Sequence, residues 1–390
     1  MPLRYIKIHK VSLTAAVTGL AAVLLTGFVT FRPNRIAEGK AVYFIQTQSD
    51  LHVAVMTLWA VLIVLSLLRI PDRWHSIIAS VISSVLIIFM IVTAGQHAIL
   101  TAEKAGSIAR ISLGPAFWTS LFTLIVILTE AWRKSGDRKG VPALLAAITG
   151  LFVIWLLTTG RLDMLSIMHE FANRRERFFE ELLTHMLLAC SSVFFALAVG
   201  IPLGLLAHRN KRFYNPTFFT LNTLQTIPSL ALFGILIPLL AAITMKFPFL
   251  TEMGIRGIGA APAIIALTIY SLLPITRNTY TGFETVDPAA IEAGTGMGMT
   301  RSQLLFSVEI PIASPIILNG VRVALVQAIG LTAVAALIGA GGLGVFIFQG
   351  LGQAANDLIL IGAIPTILIA VIVDSMMSGM VHALRPKGLG

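Results

Sequence analysis

A succession of apolar stretches, each about 20 residues long, constrains this chain more than any other feature. They fall at 11–30, 51–70, 76–95, 114–132, 141–160, 184–207, 216–243, 259–280, 314–340 and 358–380. A stretch of that length crosses the hydrocarbon core as one helix, because in lipid every backbone N–H and C=O must be bonded within its own segment. The expected fold is therefore all-α, a polytopic helical membrane protein with about ten transmembrane helices. Composition agrees: 56% of the 390 residues are hydrophobic and only 12% are charged. A soluble domain carries about twice that charge.

The net charge of +10 does not point to nucleic acid. The basic residues lie in the connections rather than in a stripe with interleaved aromatics. Placing the N-terminus inside puts 16 Lys and Arg in cytoplasmic segments and 11 outside, as the positive-inside rule asks. After residue 184 the bias is seven against two, the two being Lys246 and Arg256. Both termini are then expected in the cytoplasm. The basic start (Arg4, Lys7, Lys10) and the run 11–30 read as an uncleaved first span, since the run exceeds a signal-peptide core and no A-x-A site follows. Cys190, the single cysteine, can form no intrachain disulfide and is expected in the packing of its span.

The two halves differ in texture. Residues 1–183 hold 5 of 17 prolines and 10 of 32 glycines, and the remainder holds 12 and 22. Gly and Pro bend membrane helices and let them approach closely, so the second half reads as the moving part. Three regions follow: a five-span extension over 1–160, an amphipathic linker helix over 161–183, and a transmembrane domain over 184–385. The linker's Leu162, Leu165, Met168, Phe171 and Ala172 recur at helical spacing among charges, which suits the outer membrane surface.

The most specific local pattern is the connection 281–313. Asp287 is a good N-cap and Pro288 suits the first helical position. A short helix is expected through Glu292 and Ala293, broken by Gly294, Gly296 and Gly298. Thr300 and Gln303 predict a capping box for a second short helix, carrying Leu304, Leu305, Phe306 and Val308 and stopping at Pro311. The result is a helix–Gly–helix elbow with apolar residues on show, the pattern of a protein docking site.

The elbow resembles the cytoplasmic loop of membrane subunits in binding-protein-dependent ABC importers, E-A-A-x3-G-x9-I-x-L-P. This chain reads Glu292-Ala293-Gly294, Gly298, then Val308-x-Ile310-Pro311, with no gap. Gly replaces the second Ala and is expected to loosen the first helix; Val and Ile replace Ile and Leu. The likeness covers roughly 175–385 and is strongest in 221–236, the elbow and 336–351. It is closest to osmoprotectant permeases, and the five-span extension resembles a ten-span glycine betaine subgroup. The resemblance implies a type I ABC importer permease core and import of glycine betaine, choline or a related quaternary amine across the bacterial inner membrane. It also implies three partners: an ABC ATPase seated on the elbow, a periplasmic or extracellular substrate-binding protein, and a second permease subunit, the same chain or a relative. ATP is then the partner's ligand, and this chain carries no cofactor, metal or catalytic group. Another small solute such as an amino acid fits the same family.

Other classes fit less well. A secondary transporter of five plus five inverted spans conflicts with the Gly and Pro asymmetry, and the first half has no counterpart of the elbow. A channel would need a repeated filter-like loop. No G-x4-G-K-[ST] is present. Gly339–Gly344 fits G-x-G-x-x-G, but no strand is expected before it, and it reads as a flexible hinge. His169-Glu170 lacks the second histidine of a zincin.

Two further features fall inside spans. Gln225 and Pro228 interrupt the seventh, because proline removes a helical hydrogen bond; Pro274 does so in the eighth. Broken helices of this kind often line transport pathways. Arg322 and Asp374 are charges within the ninth and tenth spans, at similar expected depth, and are expected to pair, since an isolated charge in the bilayer is costly.

Overall fold

The computed structural model describes residues 9–35, 37–68, 70–106, 108–135 and 140–384. Of the basic residues behind the orientation, Arg4, Lys7, Arg69, Arg138, Lys139, Arg385 and Lys387 lie outside the described residues. The chain divides into two compact units, Met1–Asn173 and Arg174–Gly390.

In the first unit, α1 (Lys10–Leu25) is followed by β1 (Gly27–Arg32) and β2 (Lys40–Tyr43), then α2 (His52–Leu67) and α3 (Asp72–Ala105). After them come β3 (Arg110–Leu113), α4 (Pro115–Lys134), α5 (Gly140–Thr158) and α6 (Ser166–Ala172). The strands form one antiparallel sheet in the order β2-β1-β3. This corrects one expectation, that the run 11–30 is a single helix; the small sheet sits in a unit that is otherwise helical, as expected. Helix α1 stops where Thr26 turns extended (φ −125°, ψ 162°). The next residues, Phe28, Val29, Thr30 and Phe31, are aromatic or β-branched and favour a strand. Phe28 and Val29 are fully buried beside Trp59 and Phe44. Glu170, from the would-be zincin dipeptide, is buried and pairs with Arg35 (Nε–Oε1 3.2 Å). Its role is structural.

The second unit opens with α7 (Arg175–Arg209), then α8 (Lys211–Thr226), α9 (Ser229–Lys246), α10 (Phe249–Glu252) and α11 (Ala260–Glu284). It continues with α12 (Pro288–Gly296), α13 (Arg301–Leu304), a π-turn (Leu305–Glu309), α14 (Ile310–Ala335), α15 (Gly344–Gly352) and α16 (Asn356–Ala383). Helix α11 is central, packed between α7 and α14, and α16 packs on α14. Close approach is what the glycines supply: a Cβ on Gly204 would sit 2.7 Å from the Thr276 carbonyl oxygen, and one on Gly320 2.8 Å from that of Pro274. Small residues at such crossings let backbones meet.

Among the described residues, eight helices are long and apolar enough to cross a membrane. The expected spans 11–30 and 51–70 appear as the shorter apolar helices α1 and α2. The expected span 216–243 is two helices, α8 and α9. The expected linker helix 161–183 is also divided, into the short α6 and the first turns of α7, which runs on unbroken to Arg209. Leu162, Leu165 and Met168 pack into the core of the first unit. Cys190 lies on an exposed face of α7 instead of in the packing. The Gly339–Gly344 turn is pinned rather than free: Glu181 accepts from the Gly342 amide (2.6 Å), and the Leu343 amide donates to His185 Nδ1 (3.3 Å).

Candidate functional site

The elbow between α11 and α14 is built from local chemistry. Asp287 Oδ1 accepts from the Ala289 amide (2.8 Å), and Pro288 occupies the first turn. Helix α12 ends in two bonds that define a Schellman turn: Met299 N–H to the Gly294 carbonyl (3.1 Å) and Gly298 N–H to the Thr295 carbonyl (2.9 Å). Gly298 takes the left-handed position of that turn, at φ +82°. Thr300 then caps α13: its hydroxyl accepts from the Gln303 amide (3.3 Å) and its own amide donates to Gln303 Oε1 (2.8 Å).

Two details of the elbow differ from expectation. Gly294 and Gly296 lie within α12 rather than breaking it. Gly294 is buried, and a Cβ there would meet Leu304 Cδ1 at 2.6 Å, so this glycine tightens the elbow where loosening was expected. Nor does Pro311 stop the second helix. The π-turn Leu305–Glu309 widens the coil just ahead of it, and helix continues into α14. A widened turn accommodates a residue that has no N–H to give and a ring that crowds the preceding turn.

The elbow carries its own small core. Phe283, Val286 and Ala313 are buried, with Leu205, Ile291, Leu305, Ile310, Ile312 and Ile317 against them. Of the motif residues, Glu292 and Ala293 are exposed, Val308 and Ile310 half-buried. Met297 and Phe306 project into solvent, 72% and 65% exposed. The elbow is thus a firm body with two large apolar side chains on its outer surface.

The second locus is the break between α8 and α9. Helix α8 ends at Thr226, and Ile227 and Pro228 are extended (ψ 125° and 138°). Proline at 228 follows an Ile that it steers away from helix. On α11, Pro274 has no N–H for the carbonyl four residues back, which belongs to Tyr270. That carbonyl accepts from Gln225 Nε2 (3.0 Å). In return the Tyr270 hydroxyl donates to the Ile227 carbonyl at the α8–α9 break. The α8–α9 break and α11, which runs on through Pro274, therefore each satisfy a carbonyl that a proline leaves free in the other, as an apolar interior requires. Tyr270→Phe keeps the ring and removes the donor. It is expected to cost about 1 kcal/mol, seen as a lower melting temperature of the detergent-solubilised protein. Tyr270 escaped the sequence reading, although a tyrosine four residues before a proline marks the place.

The third locus is the intramembrane pair. Arg322 on α14 and Asp374 on α16 meet through two parallel hydrogen bonds, Nε–Oδ1 2.6 Å and Nη2–Oδ2 2.7 Å. The planar guanidinium matches the carboxylate with both teeth.

The sequence profile of the binding-protein-dependent transport system inner membrane component matches residues 198–386, which hold the elbow, the break and the pair. That of the N-terminal domain of ABC transporter permease YehY matches residues 8–168. A glycine betaine/carnitine/choline transport system permease protein, OpuCD of Bacillus subtilis, is 44% identical over 53% of this chain and 84% of its own length. The chain belongs to the family of binding-protein-dependent ABC importer permeases. The osmoprotectant import permease protein OsmW of Salmonella typhimurium is 41% identical over 53% of this permease and 90% of its own length. The choline transport system permease protein OpuBD of Bacillus subtilis is 40% identical over 56% of the permease and 91% of its own length. The permease is a multi-pass membrane protein, and the relatives it matches are transport subunits.

Proposed function

We propose that this permease imports glycine betaine, choline or a related quaternary amine, with ATP hydrolysed by a separate subunit that docks on the elbow at the cytoplasmic face. The observation that carries the docking part is the elbow itself. A Schellman turn, a capping box and a private apolar core hold it rigid, yet Met297 and Phe306 stand exposed on it. Exposed apolar side chains on a rigid body at the aqueous edge of a membrane protein suit a protein partner. The relatives named above support the solute. A substrate-binding protein delivers it outside, and a second permease subunit completes the pathway. The test is purification of the tagged permease from its own cell, followed by uptake in proteoliposomes. Co-purification of an ABC ATPase, with ATP-dependent accumulation of glycine betaine or choline, is the expected result. Transport of methionine alone would overturn the solute, and transport without any ATPase would overturn the class.

The orientation that goes with this reading has both termini inside. In a Cys190→Ala background, a cysteine replacing exposed Asp163 should label with an impermeant maleimide from outside the cell. One replacing exposed Ser302 should label only in inverted vesicles. Ser166, three residues after Asp163, is buried and is a poor reporter. The reverse labelling pattern would turn the topology over.

A further inference from the structure

Arg209 and Glu309 are 100 residues apart in sequence and joined by an ion pair from Arg209 Nη2 to Glu309 Oε2. Arg209 is the last residue of α7, and Asn210 beside it caps α8, its side chain accepting from the Arg212 amide (3.0 Å). Glu309 is the last residue of the π-turn, where the elbow joins α14. Glu309 is only 2% exposed. Its other oxygen, Oε1, is buried and makes no hydrogen bond among the described residues. The carboxylate therefore depends on this one guanidinium for compensation. A buried charge held by a single partner ties the two segments to move together, because separating them leaves the charge uncompensated.

The apolar contacts around the elbow lack that directionality. Apolar burial is non-directional, whereas a charged pair fixes one contact point. The contact falls where the elbow meets the joint between α7 and α8, and α8 leads to the break at Ile227–Pro228. We propose that Arg209 and Glu309 are positioning residues for energy coupling, linking displacement of the elbow to the α7–α8 joint. This rests on the reading of the elbow as the ATPase dock.

The experiment measures ATP hydrolysed per glycine betaine accumulated, in proteoliposomes holding the full permease with its co-purifying ATPase and supplied with its binding protein. Arg209→Gln and Glu309→Gln are each expected to keep the ATPase bound while raising that ratio about tenfold, since each removes one member of the charged contact. Arg209→Lys retains the charge and is expected to stay within about threefold of the parent ratio. The double Gln variant should be no worse than either single one. A parent-like ratio in the single variants overturns the proposal. If their membrane level falls but the surviving complex keeps the parent ratio, the pair is a stability element only, and the proposal is equally overturned. Absence of any ATPase from the unmutated permease would instead defeat the docking reading, which separates the two failures.

Discussion

Gly298→Val is expected to abolish most uptake, by about tenfold or more, while the permease still inserts in the membrane at near-normal level. Gly298 sits at φ +82° in the left-handed position of the turn closing α12. An L-residue there costs roughly 1–2 kcal/mol, and a β-branched one more. Space is not the obstacle, because a Cβ at 298 meets nothing within 4 Å. The substitution therefore acts through backbone conformation alone. It would shift the last turn of α12 against the Thr300 cap and so misplace Met297, which projects from that turn. Asn tolerates the left-handed region best after Gly, so Gly298→Asn should retain much of the activity and Gly298→Ala should fall between. Uptake of radiolabelled glycine betaine at matched protein levels checks the series. Equal activity across it would remove the elbow's geometry from the mechanism.

The second large effect is expected at Arg322 and Asp374. Losing either partner leaves a lone charge in a membrane-spanning helix, at about 2.5–3.5 kcal/mol on insertion scales. Arg322→Ala and Asp374→Ala should each lower the amount of folded permease severalfold, with uptake falling in step. The double alanine variant should recover part of the loss, because neither charge then remains to be satisfied. A double-mutant cycle on thermal stability reads the coupling directly, and about 1–2 kcal/mol is expected for a two-toothed pair of this kind. Strictly additive losses would mean that each charge finds its own accommodation, and the pair would drop out of the account.

What could be read from the sequence follows from the range of the interactions. The elbow's caps were legible because Asp287 bonds two residues ahead and Thr300 three, well within a motif's reach. The pairing of Arg322 with Asp374 was legible because each is the single charge in its expected span, 314–340 and 358–380. The sheet was not. In an apolar run, Phe28 and Val29 suit a buried helix as well as a buried strand, and periodicity cannot separate the two. Nor was the continuation of helix through Pro311, since nothing in Leu305–Glu309 announces a π-turn. The tightening at Gly294 is hidden for a similar reason: its neighbour Leu304 is ten positions away and arrives only once the elbow has folded. Arg209 and Glu309 were invisible as a pair. Arg209 ends a long helix and Glu309 stands among the elbow's apolar residues, and neither points to the other until the helices bring them together.

The bracing of the α8–α9 break against α11 makes some residues dependent on others for their very usefulness. Replacing Pro274 by alanine would return to the Tyr270 carbonyl the N–H it lacks, and the Gln225 amide that now serves it would become surplus. Gln225→Leu, harmful in the present chain, would then be tolerated. Pro274 and Gln225 behave as one heritable unit, so that the consequence of changing either is set by whether the other came first.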